Sequence, residues 1–327
     1  MGGLSKLNLE EILKQVHVTT AEELKRLPKL SYSAIDQFSQ CKYRYWLHYE
    51  EKNYPKQHAI ALSLGTFLHS AMEYKGRALM ANEKAPTKDE AKAKFSEEFE
   101  ALQADFWEEF ATPDKDGRLY SDKINTFWEN YDEEMIDPAW KVVGCEHEFY
   151  FTYRGYIFHG FIDRLDQNEN GDYRVVDYKS ARKCYSPKQR AYALQMFIYA
   201  LGVYTKYGKL PTDFTYDFLF FDFDNNRLMP ALNKEDSLEE CADAFDTLLN
   251  NIESCKDTGA YVPTTSPLCY WCEFNELNPN STDNMKHLCD FHSMWMPDNK
   301  TFSVHEKVDR DNFNVKSNKS KKKDIIW

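Results

Sequence analysis

Two acids and a lysine stand close together in this chain. Asp163 lies in Gly160-Phe-Ile-Asp163-Arg-Leu-Asp, and Asp177 and Lys179 lie in Val175-Val-Asp177-Tyr-Lys179. Carboxylate oxygens are hard ligands suited to Mg²⁺ or Mn²⁺. A divalent ion held by them lowers the pKa of a bound water and neutralises charge on a phosphodiester. A neighbouring ammonium can hold the attacking water or help deprotonate it. The chemistry is metal-assisted hydrolysis, provided that the three side chains meet. The plain alternative is a surface hairpin with solvated charges.

The elements around them decide whether they meet. Both segments read as β-strands, and the loop between them, Gln167 to Asp172, carries the hairpin signal Asn170-Gly171. Side chains alternate along a strand, so Asp177 and Lys179 share a face, and the hairpin brings Asp163 back to the level of Asp177. Glu146, in Val142-Val-Gly-Cys-Glu146-His-Glu148-Phe, reads as the start of the preceding strand. It is either an additional ligand or an exposed strand-end charge. Gly65-Thr-Phe-Leu-His69 falls in an apolar helical run from Leu64 to Met80. Gly65 and His69 share a face, and the glycine admits close approach of a backbone or a substrate. Gln195-Met-Phe-Ile-Tyr199 falls on a helix expected from Pro187 to Tyr204, with Ala191, Leu194, Ile198 and Leu201 as its buried stripe. Taken singly, His69, Gln195 and Tyr199 also read as ordinary residues of packed helices.

Together these segments resemble the PD-(D/E)XK nuclease superfamily, and most closely its RecB-like branch. Asp163 matches the first acidic position and Asp177-x-Lys179 the (D/E)xK element. His69 matches a Gly-x-x-x-His element that supplies a metal ligand in that branch. Gln195 and Tyr199 match its Gln-x-x-x-Tyr element, which positions the active site and the DNA. Glu146 matches a glutamate often found in the preceding strand. The order His69, Asp163, Asp177, Lys179, Gln195, Tyr199 is the order the branch uses. The resemblance implies a restriction-endonuclease-like α/β (α+β) core, a central mixed sheet flanked by helices. It implies that His69, Asp163, Asp177 and Glu146 hold Mg²⁺ or Mn²⁺ and that Lys179 orients the water.

Leu30-Ser-Tyr-Ser33-Ala-Ile-Asp-Gln-Phe38-Ser-Gln-Cys41-Lys-Tyr-Arg-Tyr-Trp46 looks like the family's opening helix, with Ser33 as N-cap and Ile35, Phe38 and Tyr45 buried. The chain has eight cysteines, scattered rather than arranged as a small disulfide scaffold. Cys269 and Cys272 form a Cys-x-x-Cys, and Cys289 follows. In iron–sulfur members of this branch, including CRISPR-associated exonucleases, one early and three late cysteines hold a [4Fe–4S] cluster. By position these match Cys41, Cys269, Cys272 and Cys289. The chain departs from the pattern in the long polar interval from Asn275 to Asn284 before Cys289. Zn²⁺ is the alternative occupant, with His287 and His292 as substitute ligands. Ordinary buried thiols are the plain reading.

The net charge of −12 argues against a generally basic nucleic-acid-binding surface. Local basicity therefore has to serve, and Arg182, Lys183, Lys188 and Arg190 directly follow Lys179. No apolar leader and no long apolar run is visible, which predicts a cytoplasmic protein; the resemblance implies a bacterial or phage-infected cell. The organisation expected is a helical lead-in over 1–29 and a nuclease domain over 30–259. A helical insertion at 82–137 interrupts that domain, turning at Pro113-Asp-Lys-Asp-Gly117. Its Phe106, Trp107, Phe127 and Trp128, with Trp140 just beyond, either pack or stack bases. Another strand is expected from Asp213 to Phe223 and a closing helix from Leu238 to Cys255. A Cys-rich region follows over 260–300, then a basic tail over 301–327.

The function expected is a metal-dependent DNA exonuclease acting on single strands or DNA ends in recombination, repair or replication. No Gly-rich phosphate loop or helicase motif is present, so a partner helicase or recombination protein would supply movement along DNA. Two alternatives stay open: a catalytically silent, metal-stapled subunit that binds DNA or a partner, and a zinc-bearing RNA-processing factor.

Overall fold

The computed structural model describes residues 8–54, 60–113, 119–131, 137–181, 183–222, 227–276, 278, 281, 284–289 and 291. Most of the 113–117 turn, Arg182, His292 and the basic tail lie outside these residues. The chain divides into two compact units, one of Met1–Leu30 with Ile60–Phe245 and the other of Ser31–Ala59 with Asp246–Trp327.

The first unit opens with α1 (Leu9–Gln15), β1 (His17–Val18), α2 (Ala21–Arg26) and β2 (Lys29–Leu30). The second holds α3 (Tyr32–Gln40), α4 (Lys42–Tyr45) and a π-helical turn over Trp46–Glu50. Returning to the first unit, α5 (Ile60–Met80) is followed by α6 (Lys88–Lys94), α7 (Ser96–Asp105), α8 (Trp107–Ala111) and α9 (Tyr120–Glu129). Then come β3 (Trp140–Tyr153), β4 (Tyr156–Asn168), β5 (Tyr173–Lys179), α10 (Pro187–Ala191), α11 (Leu194–Tyr207), β6 (Asp213–Phe218) and β7 (Leu228–Pro230). The helix α12 (Ser237–Thr258) leads back to the second unit.

The described strands form one mixed sheet in the order β1-β3-β4-β5-β6-β7, with β2 pairing parallel to β4. The β4–β5 pair is the expected antiparallel hairpin, and Gly171 takes φ +75° in its turn. β5 and β6 run parallel, which requires a crossover. α10 and α11 lie in that crossover, which is why Gln195 comes to lie against β5.

The helices cover both faces of the sheet. Val176 and Tyr178 join a core with Leu64, Phe67, Leu68, Ala71 and Met72 of α5, to which the insertion adds Phe127 and Trp128. Burying each of those large side chains contributes about 1.5–3 kcal/mol. Asp177 and Lys179, alternating with Val176 and Tyr178, point the other way, toward α11. On that side Gly202 of α11 meets Phe149 so closely that a Cβ would stand 2.6 Å from the ring.

Several expectations need correction. The opening helix is capped by Ser31, whose hydroxyl accepts the Ala34 amide at 3.2 Å, so Ser33 falls inside the first turn. The helix expected from Pro187 to Tyr204 breaks at Tyr192–Ala193, because the Arg190 carbonyl takes the Leu232 amide at 2.8 Å. The strand from Asp213 stops at Phe218, where the Phe221 amide turns back to the Phe218 carbonyl. The insertion's long helices are short ones, bent at Phe95 and Phe106, whose rings turn into the core.

Candidate active site

Asp163 sits on β4 opposite Glu146 of β3, between the register pairs Cys145↔Arg164 and His147↔Ile162. Its Oδ2 accepts the Tyr178 amide hydrogen at 2.6 Å, which ties the first acid to the strand carrying the second. Its Oδ1 lies 3.3 Å from His69 Nδ1. Burial alone would pull the His69 pKa down, but the hydrogen bond and charge of Asp163 outweigh it and hold the imidazole above its ordinary value. His69 comes from α5, where Gly65 leaves room for Ser180; a Cβ there would stand 3.1 Å from the Ser180 hydroxyl.

Glu146 is not at a strand end, as its sequence position had indicated. β3 begins at Trp140, and Glu146 lies within it at φ +44°, in the left-handed region that a glutamate rarely adopts. Such strain persists only where surrounding structure enforces it. Burial first, then the charges of Asp163 and Glu73, push the Glu146 carboxyl up to about 7. One ligand atom each of His69, Glu146 and Asp163 lies within 4.8 Å of the others, the one set of its kind among the described residues.

Asp177 stays outside that set. It is 1% exposed, and its Oδ2 stands 2.5 Å from Lys179 Nζ in an ion pair without well-formed hydrogen-bond geometry. Burial drives its pKa up against the pull of Lys179. Lys179 Nζ also donates to Gln195 Oε1 at 2.9 Å, and Gln195 Nε2 donates to the Tyr199 hydroxyl at 2.8 Å. Lysine has no acceptor, so its bond fixes which way the glutamine amide faces. Burial, then the charges of Asp177 and Asp163, hold the Tyr199 phenol neutral, well above its usual pKa. Asp177, Lys179, Gln195 and Tyr199 thus form one connected polar array, beside Asp163.

Two neighbours escaped sequence reasoning. Glu73, one turn beyond His69 on α5, adds negative charge at Glu146 and pairs with Arg77 at 2.5 Å. The His69–Glu73 spacing was the available signal. Tyr216 places its ring 5.5 Å from Lys179 Nζ, a contact made only by β5–β6 pairing. Of the basic residues after Lys179, Lys183 and Lys188 are exposed. Arg190 is engaged by the carbonyls of Tyr185 and Pro230 at 3.3 and 2.8 Å. The aromatics of the insertion divide: Phe127 and Trp128 are core, and Trp107 is exposed.

In the second unit, Cys41, Cys269, Cys272 and Cys289 line one pocket. Cys41 Sγ accepts the amides of Arg44 and Thr264 at 3.5 and 3.4 Å, and Cys269 Sγ accepts that of Ser266 at 3.4 Å. Burial pushes the Cys272 thiol up to about 12. No three of these thiols come within 4.8 Å of one another. Arg44 lies beside them, bonded to Glu273 at 2.8 Å. Burial raises Glu273, but His48 and Arg44 outweigh it and hold the carboxyl at about 2. Among the described residues no helix is long and apolar enough to cross a membrane.

Comparison with curated proteins finds no match. The family model of the PD-(D/E)XK nuclease superfamily, whose members are generally phosphodiester-cleaving nucleases that use Mg²⁺ or Mn²⁺, matches residues 29–277. That span includes His69, the Asp163–Asp177–Lys179 hairpin and the Gln195–Tyr199 helix, and the chain belongs to the PD-(D/E)XK nuclease superfamily.

Proposed function

We propose that this protein is a metal-dependent deoxyribonuclease of the RecB-like branch. It acts as an exonuclease on single-stranded DNA or DNA ends in recombination, repair or replication. The observation that carries the reading is the approach of His69, Glu146 and Asp163 to within 4.8 Å, beside the Asp177–Lys179 pair.

The donor set fits Mg²⁺ or Mn²⁺. It offers two carboxylates and one imidazole, and Glu146 is pushed to about 7 by burial and like charges that a cation would relieve. Asp177 would join His69, Glu146 and Asp163 as a ligand. The ion would supply charge neutralisation for the phosphodiester and acidity for the attacking water. Lys179 then orients that water. Asp177 and Gln195 fix its ammonium from two sides, and Tyr199 fixes Gln195. Lys183 and Lys188 would meet backbone phosphates.

The cysteine pocket supports a [4Fe–4S] cluster in the second unit. Four sulfurs around one zinc, each at about 2.3 Å, would lie about 3.8 Å apart. No three of the thiols come within 4.8 Å of one another. A four-iron cluster takes its thiolates at separate corners. Arg44 and the amides directed at Cys41 and Cys269 would offset the cluster's negative charge. The cluster would tie α3 to the chain after α12.

The test is anaerobically purified protein with end-labelled linear single- and double-stranded DNA and Mn²⁺, beside Lys179→Ala. Degradation lost in the variant is the expected result, and the product ladder gives the polarity. DNA left intact by wild-type protein that binds Mn²⁺ would overturn the reading in favour of a silent binding subunit.

A further inference from the structure

We infer that Phe161, together with the stacked pair Tyr150 and His159, is a platform on which bases of single-stranded DNA stack beside the metal-binding residues. The inference rests on the nuclease reading above and assigns the surface that would select unpaired strands.

β3 and β4 run on beyond Glu146 and Asp163 to the tight connection between Tyr153 and Tyr156. Along this stretch one face of the pair is filled. Phe149 packs on Gly202 and lies 5.9 Å from the Tyr199 ring, and Phe158 lies 5.1 Å from Phe245. The alternate residues, Glu148 and Tyr150 on β3 and His159 and Phe161 on β4, point to the opposite face. That is the side from which α5 brings His69. Glu148 pairs with Phe161 and Tyr150 with His159. Phe161 is therefore two residues from Asp163, about 7 Å along the strand, and the Tyr150–His159 pair is another step of about 7 Å away.

The rings are fixed in advance. Tyr150 and His159 stack at 4.1 Å with 5° between their planes. Glu148 Oε1 binds both, accepting from the Tyr150 hydroxyl at 2.8 Å and lying 2.9 Å from His159 Nε2. Phe161 meets His159 edge-on at 5.2 Å, yet remains 43% exposed in the middle of a long strand. A large exposed ring there adds little to the core, and its face is free to take a base. Lys29 Nζ lies 5.8 Å from the Tyr150 ring and supplies positive charge at the far end.

The spacing selects the occupant. Steps of about 7 Å are twice the roughly 3.4 Å rise of a stacked duplex strand, so they suit bases splayed along an extended single strand. A duplex presents no free base faces to the rings. Stacking of each base would add affinity to whatever local positive charge an acidic protein offers DNA.

The experiment measures fluorescence anisotropy of full-length protein with Ca²⁺ in place of Mn²⁺. The probes are a labelled oligothymidylate of about 15 nucleotides and a blunt duplex of the same length. Phe161→Ala is expected to weaken single-strand binding about tenfold, with duplex binding and Mn²⁺ affinity unchanged. Phe161→Trp is expected to restore it, and Tyr150→Ala to weaken it in the same selective way. The proposal is overturned if Phe161→Ala binds the single strand within about twofold of wild type. It is equally overturned if single-strand and duplex binding fall together, if Trp is as weak as Ala, or if wild-type protein binds no single strand. Cleavage of DNA by wild type with an unaffected Phe161→Ala would sink the platform and leave the nuclease standing. Selective loss of single-strand binding in a protein that cuts nothing would support the platform and remove the nuclease.

Discussion

Glu146 faces Asp163 across the β3–β4 ladder, and it does so from a backbone conformation that a glutamate rarely adopts, φ +44°. Two carboxylates are thereby held together in a half-buried place, where His69 and the more distant Arg77 offset the Glu146 charge in part. The arrangement stores repulsion that a divalent cation bound there would release.

Replacing Glu146 by Gln removes one of the opposed charges and one ligand. Mn²⁺ affinity, measured by calorimetry, is expected to fall at least tenfold, since even groups behind metal ligands change affinity by about 10–100-fold. The metal-free variant should melt higher than wild type at neutral pH. Unchanged Mn²⁺ affinity would remove Glu146 from the ligand set.

Lys179 and Gln195 should separate chemistry from positioning. Lys179→Ala is expected to lower the cleavage rate by about a hundredfold or more. It also leaves the Asp177 carboxylate buried without its partner, a change of about 3–5 kcal/mol in related cases. Gln195→Ala keeps the ammonium but loses one of its two anchors, so the rate should fall by about tenfold to a hundredfold with Mn²⁺ binding intact. Single-turnover rates beside calorimetric titrations check both, and a Gln195→Ala rate equal to wild type would contradict the positioning role.

The pH dependence has a definite sign. The Glu146 carboxyl is raised to about 7 in the fold against an ordinary value of 4.5, and Asp177 is displaced in the same direction. Stability gained by keeping those protons is fully present below the unfolded pKa and is lost as pH rises through the folded one. Wild type and Glu146→Gln should therefore melt nearly together at about pH 5, with wild type falling below the variant by about pH 8. The Tm gain from Mn²⁺ should grow over the same interval, as the ion replaces the protons. A gap between the two proteins that closes with rising pH would contradict the assignment.

Cys41→Ser or Cys272→Ser should abolish bound iron and acid-labile sulfide in anaerobically prepared protein and destabilise the second unit. Mn²⁺ binding at His69, Glu146 and Asp163 should persist. Stoichiometric zinc without iron, in wild type prepared without oxygen, would replace the cluster by a mononuclear site.

The hairpin was legible because its information is local. Strand alternation and the Asn170-Gly171 turn place Asp163 level with Asp177 without reference to the rest of the fold. Helical periodicity located α5 and the stretch carrying Gln195 and Tyr199, because buried faces repeat at helical spacing. The element ends were read less well. The N-cap at Ser31 and the break at Tyr192 depend on single hydrogen bonds, one of them to a residue about forty positions away.

The sequence by itself determined which residue types stand ready for hydrolysis, their order along the chain and the superfamily they mark. Tertiary structure alone decided how they are divided. Asp163 gathers with Glu146 and His69, while Asp177 turns to Lys179 and onward to Gln195 and Tyr199. That division follows from strand register and from the unusual backbone at Glu146, together with helices covering opposite faces of one sheet. Such relations join residues as far apart in the chain as His69 and Asp163, so no local pattern encodes them. The aromatic stripe from Phe161 to Tyr150 has the same origin, since pairing β3 with β4 sets its rings side by side.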